Sequence, residues 1–180
     1  MIYVFLAEGF EETEAIAPLD CLRRAKKTVR TVGIGGKVIT GAHGIPVTAD
    51  LTEDAVVLDS ALEMVVLPGG MPGTLNLEKN PTVRKALEFC AKNGRKIGAI
   101  CAAPSVPGKM GLLKGQRAVC FPGFEETLTG AQIADGKACV SGNFITGKGA
   151  GAALDFGLAL VESLCGKDFA AQLGRDLQYL

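Results

Sequence analysis

The sequence predicts an α/β protein, a mostly parallel sheet with helices on both faces. Residues 2–7, 64–67 and 97–100 are continuous apolar runs of strand length, the pattern of strands covered on both sides. Between them lie stretches with apolar residues at helical spacing, long enough for the crossovers that parallel neighbours require. The runs end in loops at Glu8–Glu14, Pro68–Gly73 and Cys101–Pro104. In such sheets these loops share the carboxyl edge, where ligands bind.

The elements follow in order. Ile2 to Ala7 is the first strand. It is too short for a signal-peptide core or a membrane span and has no basic flank, so a cytoplasmic protein is expected. Ile16, Leu19 and Leu22 have helical spacing. Glu11 and Glu12 ahead of them read as solvated partners of the helix dipole. Pro18 predicts a kinked or irregular first turn around Glu14. Thr28 to Ile34 is the second strand, closed by Gly35 and Gly36. Residues 37–63 predict a hairpin around Gly41 to Gly44, a short strand at Pro46 to Thr48, then a polar connection. Met64 to Leu67 is a buried strand. The glycine-rich turn after it frees backbone N–H groups and permits close approach.

Asn80-Pro81 starts the clearest helix, with a capping residue, proline in the first turn, and a stop at Asn93-Gly94. A short helix and turn are expected over 106–116, with short strands at 118–120, 138–140 and 143–146. Gly147 to Gly151 opens a helix with Leu154, Leu158, Val161 and Cys165 on one face, ended by Gly166. A last amphipathic helix runs over 167–174.

With 180 residues, one domain over 1–180 is expected. The 19 basic residues balance the 19 acidic ones, which gives no basis for a nucleic-acid partner or an acidic membrane surface. Six cysteines lie without any C-x-x-C spacing, which argues against a zinc site and a disulfide framework. His43 is the only histidine, so no mechanism with two is possible. Gly147-x-Gly149-x-Gly151 lacks the spacing and the acidic partner of a dinucleotide fingerprint. It reads instead as close helix packing or a small-anion cap.

Cys101 closes an apolar strand and precedes Ala102, Ala103 and Pro104. That order fits a sharp strand-to-helix turn, which lifts a nucleophile clear of the sheet beside free N–H groups that favour anionic sulfur. A buried, inert cysteine is the alternative.

Four segments together resemble a known family: Ala7-Glu8-Gly9-Phe10-Glu11-Glu12-Thr13-Glu14-Ala15, Val65-Val66-Leu67-Pro68-Gly69-Gly70, Ala99-Ile100-Cys101-Ala102-Ala103-Pro104 and Gly149-Ala150-Gly151-Ala152-Ala153-Leu154-Asp155-Phe156. In order and nearly end to end, they are similar to the ThiJ/PfpI superfamily, in the branch of the Parkinson-disease protein deglycase and its bacterial relatives. The resemblance implies a flavodoxin-like three-layer sandwich, a homodimer, and no cofactor or metal. It makes Cys101 the nucleophile and oxidation sensor, and Glu14 the carboxylic acid that hydrogen-bonds its sulfur. The N–H groups of Gly70 and Ala102 become an oxyanion hole, with Gly69 and Phe121 as neighbours. The implied activity is cysteine-dependent chemistry on a small reactive aldehyde or a glycated substrate. The alternative is a redox sensor or chaperone that works through oxidation of Cys101. A peptidase is a third reading. It is disfavoured because Phe121 stands where many members carry histidine, which leaves acid–base work to Glu14.

Overall fold

The computed structural model describes residues 1–179. The strands are β1 (Ile2–Leu6), β2 (Val29–Gly33), β3 (Val38–Thr40), β4 (Pro46–Thr48), β5 (Leu51–Thr52), β6 (Met64–Leu67), β7 (Lys96–Ile100), β8 (Arg117–Ala118), β9 (Gln132–Ile133), β10 (Ala138–Ser141) and β11 (Phe144–Gly147). The helices are α1 (Glu12–Arg24), α2 (Gly73–Lys79), α3 (Pro81–Lys92), α4 (Ser105–Lys109), α5 (Ala153–Cys165) and α6 (Lys167–Asp176). Seven strands form one sheet in the order β10-β11-β7-β6-β1-β2-β5, parallel except for the β10–β11 edge hairpin. The flavodoxin-like α/β sandwich read from the sequence is the fold.

Alternation along β1 builds the two faces. Ile2, Val4 and Leu6 enter one core, shared with Leu19 and Leu22 of α1, Leu160 and Val161 of α5, and Leu173 of α6. Tyr3, Phe5 and Ala7 enter the other, with Leu77 of α2 and Val83, Ala86 and Leu87 of α3. Two glycines set the close approaches. A Cβ at Gly98 would lie 2.8 Å from Leu160, so β7 can support α5 closely only without a side chain there. A Cβ at Gly157 would lie 2.9 Å from Cys21 Sγ and 3.1 Å from Pro18 Cα, where α1 crosses α5.

That crossing corrects the expectation at Pro18. The helix runs through it from Glu12 to Arg24 without interruption. Proline removes the bond its N–H would give to the Glu14 carbonyl, yet burial against α5 holds the helix together. Helix α2 lies in a stretch for which the sequence raised no expectation; Asn80 both ends α2 and caps α3, accepting from Thr82 and Val83 N–H at 2.9 and 3.1 Å. The strand expected at 118–120 is shifted to β8, Arg117–Ala118, and the short helix and turn expected over 106–116 are α4 and the turns that follow it. The hairpin at Gly41–Gly44 is present as β3–β4.

The chain leaves β1 for β2 on one side and returns to β6 on the other. The strand order therefore reverses between β1 and β6, the position at which open α/β sheets form their crevice.

Candidate active site

Register brings three loops to that reversal. Leu67 of β6 pairs with Ala99 of β7, so two residues further on Gly69 stands beside Cys101. A Cβ at Gly69 would lie 2.7 Å from Cys101 Cβ, 2.6 Å from Glu14 Oε2 and 2.9 Å from the Ile100 carbonyl, so only glycine lets these groups meet.

Cys101 is an elbow. Its φ is +65°, a left-handed conformation that costs a non-glycine residue roughly 1 kcal/mol or more. Backbone bonds fix it on both sides, from Cys101 N–H to the Gly147 carbonyl and from Phe121 N–H to the Cys101 carbonyl, each 2.9 Å. The helix behind the elbow begins only at Ser105 and is five residues long, so its dipole is minor. What stabilises charge on sulfur is local: the N–H groups of Ala102 and Gly70 both act on it.

Glu14 is 1% exposed. Glu11 and Glu14 stand at the N-cap and N3 positions of α1, and Glu11 Oε2 accepts the Glu14 N–H at 2.7 Å. In a capping box the N3 carboxyl would return to the cap N–H. Here Gly69 takes that half, since its carbonyl accepts the Glu11 N–H and its N–H donates to Glu14 Oε2, both at 2.9 Å. Glu14 is thereby turned inward. Its Oε1 is buried with no partner in good hydrogen-bond geometry, and the thiol of Cys101 is the polar side chain coupled to the carboxyl.

Burial pushes the Glu14 carboxyl up to about 7, aided by the Glu11 charge and opposed by Cys101 and the Gly69 N–H. Burial and the Glu14 charge push the Cys101 thiol up to about 12, against the pull of the Ala102 and Gly70 N–H groups. Burial and the neighbouring carboxyl thus outweigh the free N–H groups that favour anionic sulfur. The pair loses its first proton near neutrality and holds the second, so above that point one negative charge is shared between carboxylate and thiol.

Glu11 and Glu12 are not solvated as the sequence suggested. Glu12 is 8% exposed, and its carboxylate accepts from His43 N–H and meets His43 Nδ1, each at 2.8 Å. Burial works against its charge, but the bonds from His43 outweigh it and hold the carboxyl below its ordinary range. Gly41 has no Cβ because one would strike this carboxyl. Glu12 thus pins the β3–β4 hairpin to the start of α1, a role visible in sequence only as an unexplained glycine–histidine turn. Among the described residues, Glu11, Glu12 and His43 are the one group whose ligating atoms lie within 4.8 Å of one another. The bonds just described already engage all three.

Two residues before Phe121, the Val119 N–H donates to Thr146 Oγ1 at 2.9 Å. The Phe121 ring lies over Gly149 and the residue is 47% exposed, so it borders the elbow without sealing it from water.

The profile of the DJ-1/PfpI family matches residues 1–163. Over 180 residues the chain is 33% identical to protein DJ-1 homolog B of Arabidopsis thaliana, covering 98% of this chain and 41% of that protein. The chain thus spans less than half the length of that curated relative. It is 31% identical over 172 residues to the glutathione-independent glyoxalase DJR-1.2 of Caenorhabditis elegans, covering 94% and 91% of the two chains. A solved structure of a cysteine-to-alanine variant of a DJ-1 superfamily protein from Salmonella typhimurium aligns with a TM-score of 0.93 at 36% identity, over 99% of this chain and 98% of that one. The cysteine elbow at the strand reversal, the inward carboxyl and a profile match over most of the sequence agree: the chain belongs to the DJ-1/PfpI family.

Proposed function

We infer that the protein is a cysteine-dependent enzyme acting on small reactive carbonyls, converting 2-oxoaldehydes to 2-hydroxy acids without an external thiol. The observation that carries this is the buried Glu14 carboxyl, raised to about 7 and coupled to a strained cysteine. A general base works best with a pKa near the working pH.

With methylglyoxal, the Glu14 carboxylate takes the thiol proton as Cys101 Sγ attacks the aldehyde carbon. The carbonyl π pair moves to oxygen, which the Gly70 and Ala102 N–H groups hold until Glu14 returns the proton. The resulting hemithioacetal loses its C1 hydrogen to Glu14 as a proton, and the bonding pair shifts through an enediol toward C2. Glu14 then protonates C2 and takes the C1 hydroxyl proton as the C1 carbonyl forms, giving the lactate thioester. C1 is oxidised and C2 reduced, so no other oxidant is consumed. Water cleaves the thioester, releasing lactate and restoring the thiol. The relative named a glutathione-independent glyoxalase supports this reading. We place the reaction in a cytoplasmic homodimer; among the described residues no helix is long and apolar enough to cross a membrane.

The test is lactate formation from methylglyoxal by wild type beside Cys101→Ala, with lactate measured directly because any thiol scavenges the aldehyde. Wild type should turn over and the variant should not. Equal rates would end the proposal.

A second reading, oxidation sensing, is favoured by access. Of the six cysteines, Cys21, Cys90, Cys120 and Cys139 are buried, while Cys101 and Cys165 are partly exposed. Only Cys101 has two N–H donors and a carboxyl with which to hold a sulfinate. Peptide mapping after limiting peroxide should find sulfinate first at Cys101; finding it first at Cys165 would refute this. Peptidase chemistry remains disfavoured, since Phe121 cannot relay a proton and His43 is engaged with Glu12.

A further inference from the structure

A second feature borders the elbow and has no part in the proton chemistry above. Phe121, Pro122, Gly149, Gly151, Ala152 and the stems of Lys137 and Lys148 line a cavity of about 230 Å³. Its lining is almost wholly apolar. Lys137 offers hydrocarbon there because its ammonium is turned to Asp155, 3.3 Å away. The cavity's walls are the same segments that hold Cys101. Phe121 gives its N–H to the Cys101 carbonyl, and Gly147, two residues before Gly149, accepts the Cys101 N–H. The two segments that wall the cavity are thus the ones bonded to the elbow's backbone.

The glycines keep the space open. A Cβ at Gly149 would come within 3.3 Å of the Phe121 ring, whereas one at Gly151 would meet nothing within 4 Å. The size suits a ring, since an apolar cavity of ~150 Å³ admits benzene.

We propose that this cavity is a specificity pocket for the hydrocarbon substituent of the carbonyl substrate, selecting aryl-bearing 2-oxoaldehydes over methylglyoxal. The proposal rests on the carbonyl reading above. The chemistry is the same internal redox step, so phenylglyoxal plus water gives mandelate. Apolar pockets discriminate by roughly 10–200-fold for each methylene-sized difference, and a phenyl ring exceeds a methyl group by far more than one.

The experiment compares kcat/KM for phenylglyoxal and methylglyoxal in wild type, Gly151→Leu and Phe121→Ala, with the 2-hydroxy acids quantified and thermal melts recorded. Gly151 lines the cavity, lies outside the left-handed region and has no atom within 4 Å of an added Cβ, so leucine should add bulk at the cavity without unfolding the chain. Phe121→Ala removes a wall instead of filling the space, and so serves if the leucine variant does not fold. Wild type should prefer phenylglyoxal, and each folded variant should lower the phenylglyoxal-to-methylglyoxal ratio by roughly tenfold. Turnover of both aldehydes with an unchanged ratio in the variants overturns the pocket alone. Absence of turnover on either aldehyde in wild type overturns the carbonyl reading and the pocket with it. A leucine variant that changes oligomeric state and loses both activities equally also overturns the pocket, since its occupant is then another protein surface.

Discussion

Glu14→Gln is expected to lower methylglyoxal turnover by roughly 10²–10⁴-fold, the usual loss when a general acid–base group is removed. Glutamine keeps an acceptor for the Gly69 N–H, so the cap of α1 and the fold should survive. The same change should flatten the dependence of stability on pH. The folded state holds the Glu14 proton more tightly than the unfolded chain, with its carboxyl raised from 4.5 to about 7. The resulting stabilisation is complete below pH 4.5 and declines as pH rises, and it is gone once pH passes about 7. At ~1.4 kcal/mol per pH unit the whole effect is at most roughly 3–4 kcal/mol. Denaturant titrations across pH 4–8 should show this slope in wild type and lose it in the variant. An identical slope and rate in both proteins would mean that Glu14 neither titrates nor shuttles as argued.

Gly69→Ala should damage fold and chemistry together. The added methyl would press on Glu14 Oε2, Cys101 Cβ and the Ile100 carbonyl at 2.6–2.9 Å, and two of these belong to the reacting pair. Overpacking of this kind costs roughly 1–3 kcal/mol, which for a chain of this size lowers Tm by roughly 2–4 °C per kcal/mol. Relief of the clash must also move the acid away from the sulfur. Turnover should therefore fall far more than stability does, and the Cys101 thiol should titrate closer to an ordinary cysteine. A variant that melts and reacts like wild type would show that the contact is slack and that Gly69 does not set the pair.

The parts of the fold legible in the sequence were those written in short range. Apolar runs gave the strands of the parallel sheet, Asn80-Pro81 gave α3, and the change from apolar strand to small residues at Cys101 gave the elbow. Where the reading failed, a distant partner decides the outcome. Pro18 looks like a helix breaker until α5 lies against it at Gly157. Glu12 looks like a solvated charge until the hairpin brings His43 to it. The inward turn of Glu14 follows from Gly69 completing a capping box across 55 residues, a pairing that no local spacing encodes. The balance at the thiol is hidden for a related reason. Free N–H groups could be anticipated from the turn, but the burial that outweighs them is a property of the assembled crevice.

The capping arrangement at Gly69 also has a consequence in time. Glu14, Gly69 and Cys101 follow three different strands, and they meet only when β1, β6 and β7 have paired in register. Parallel strands joined by long crossovers pair late, because loop closure must be completed before the contacts form. Until then Cys101 is an ordinary thiol in a flexible chain, and the perturbed acid–sulfur pair does not exist. The chemistry of this one sulfur is therefore a clock for the folding of the sheet's centre. A pulse of thiol reagent during refolding would time the moment at which the central strands lock.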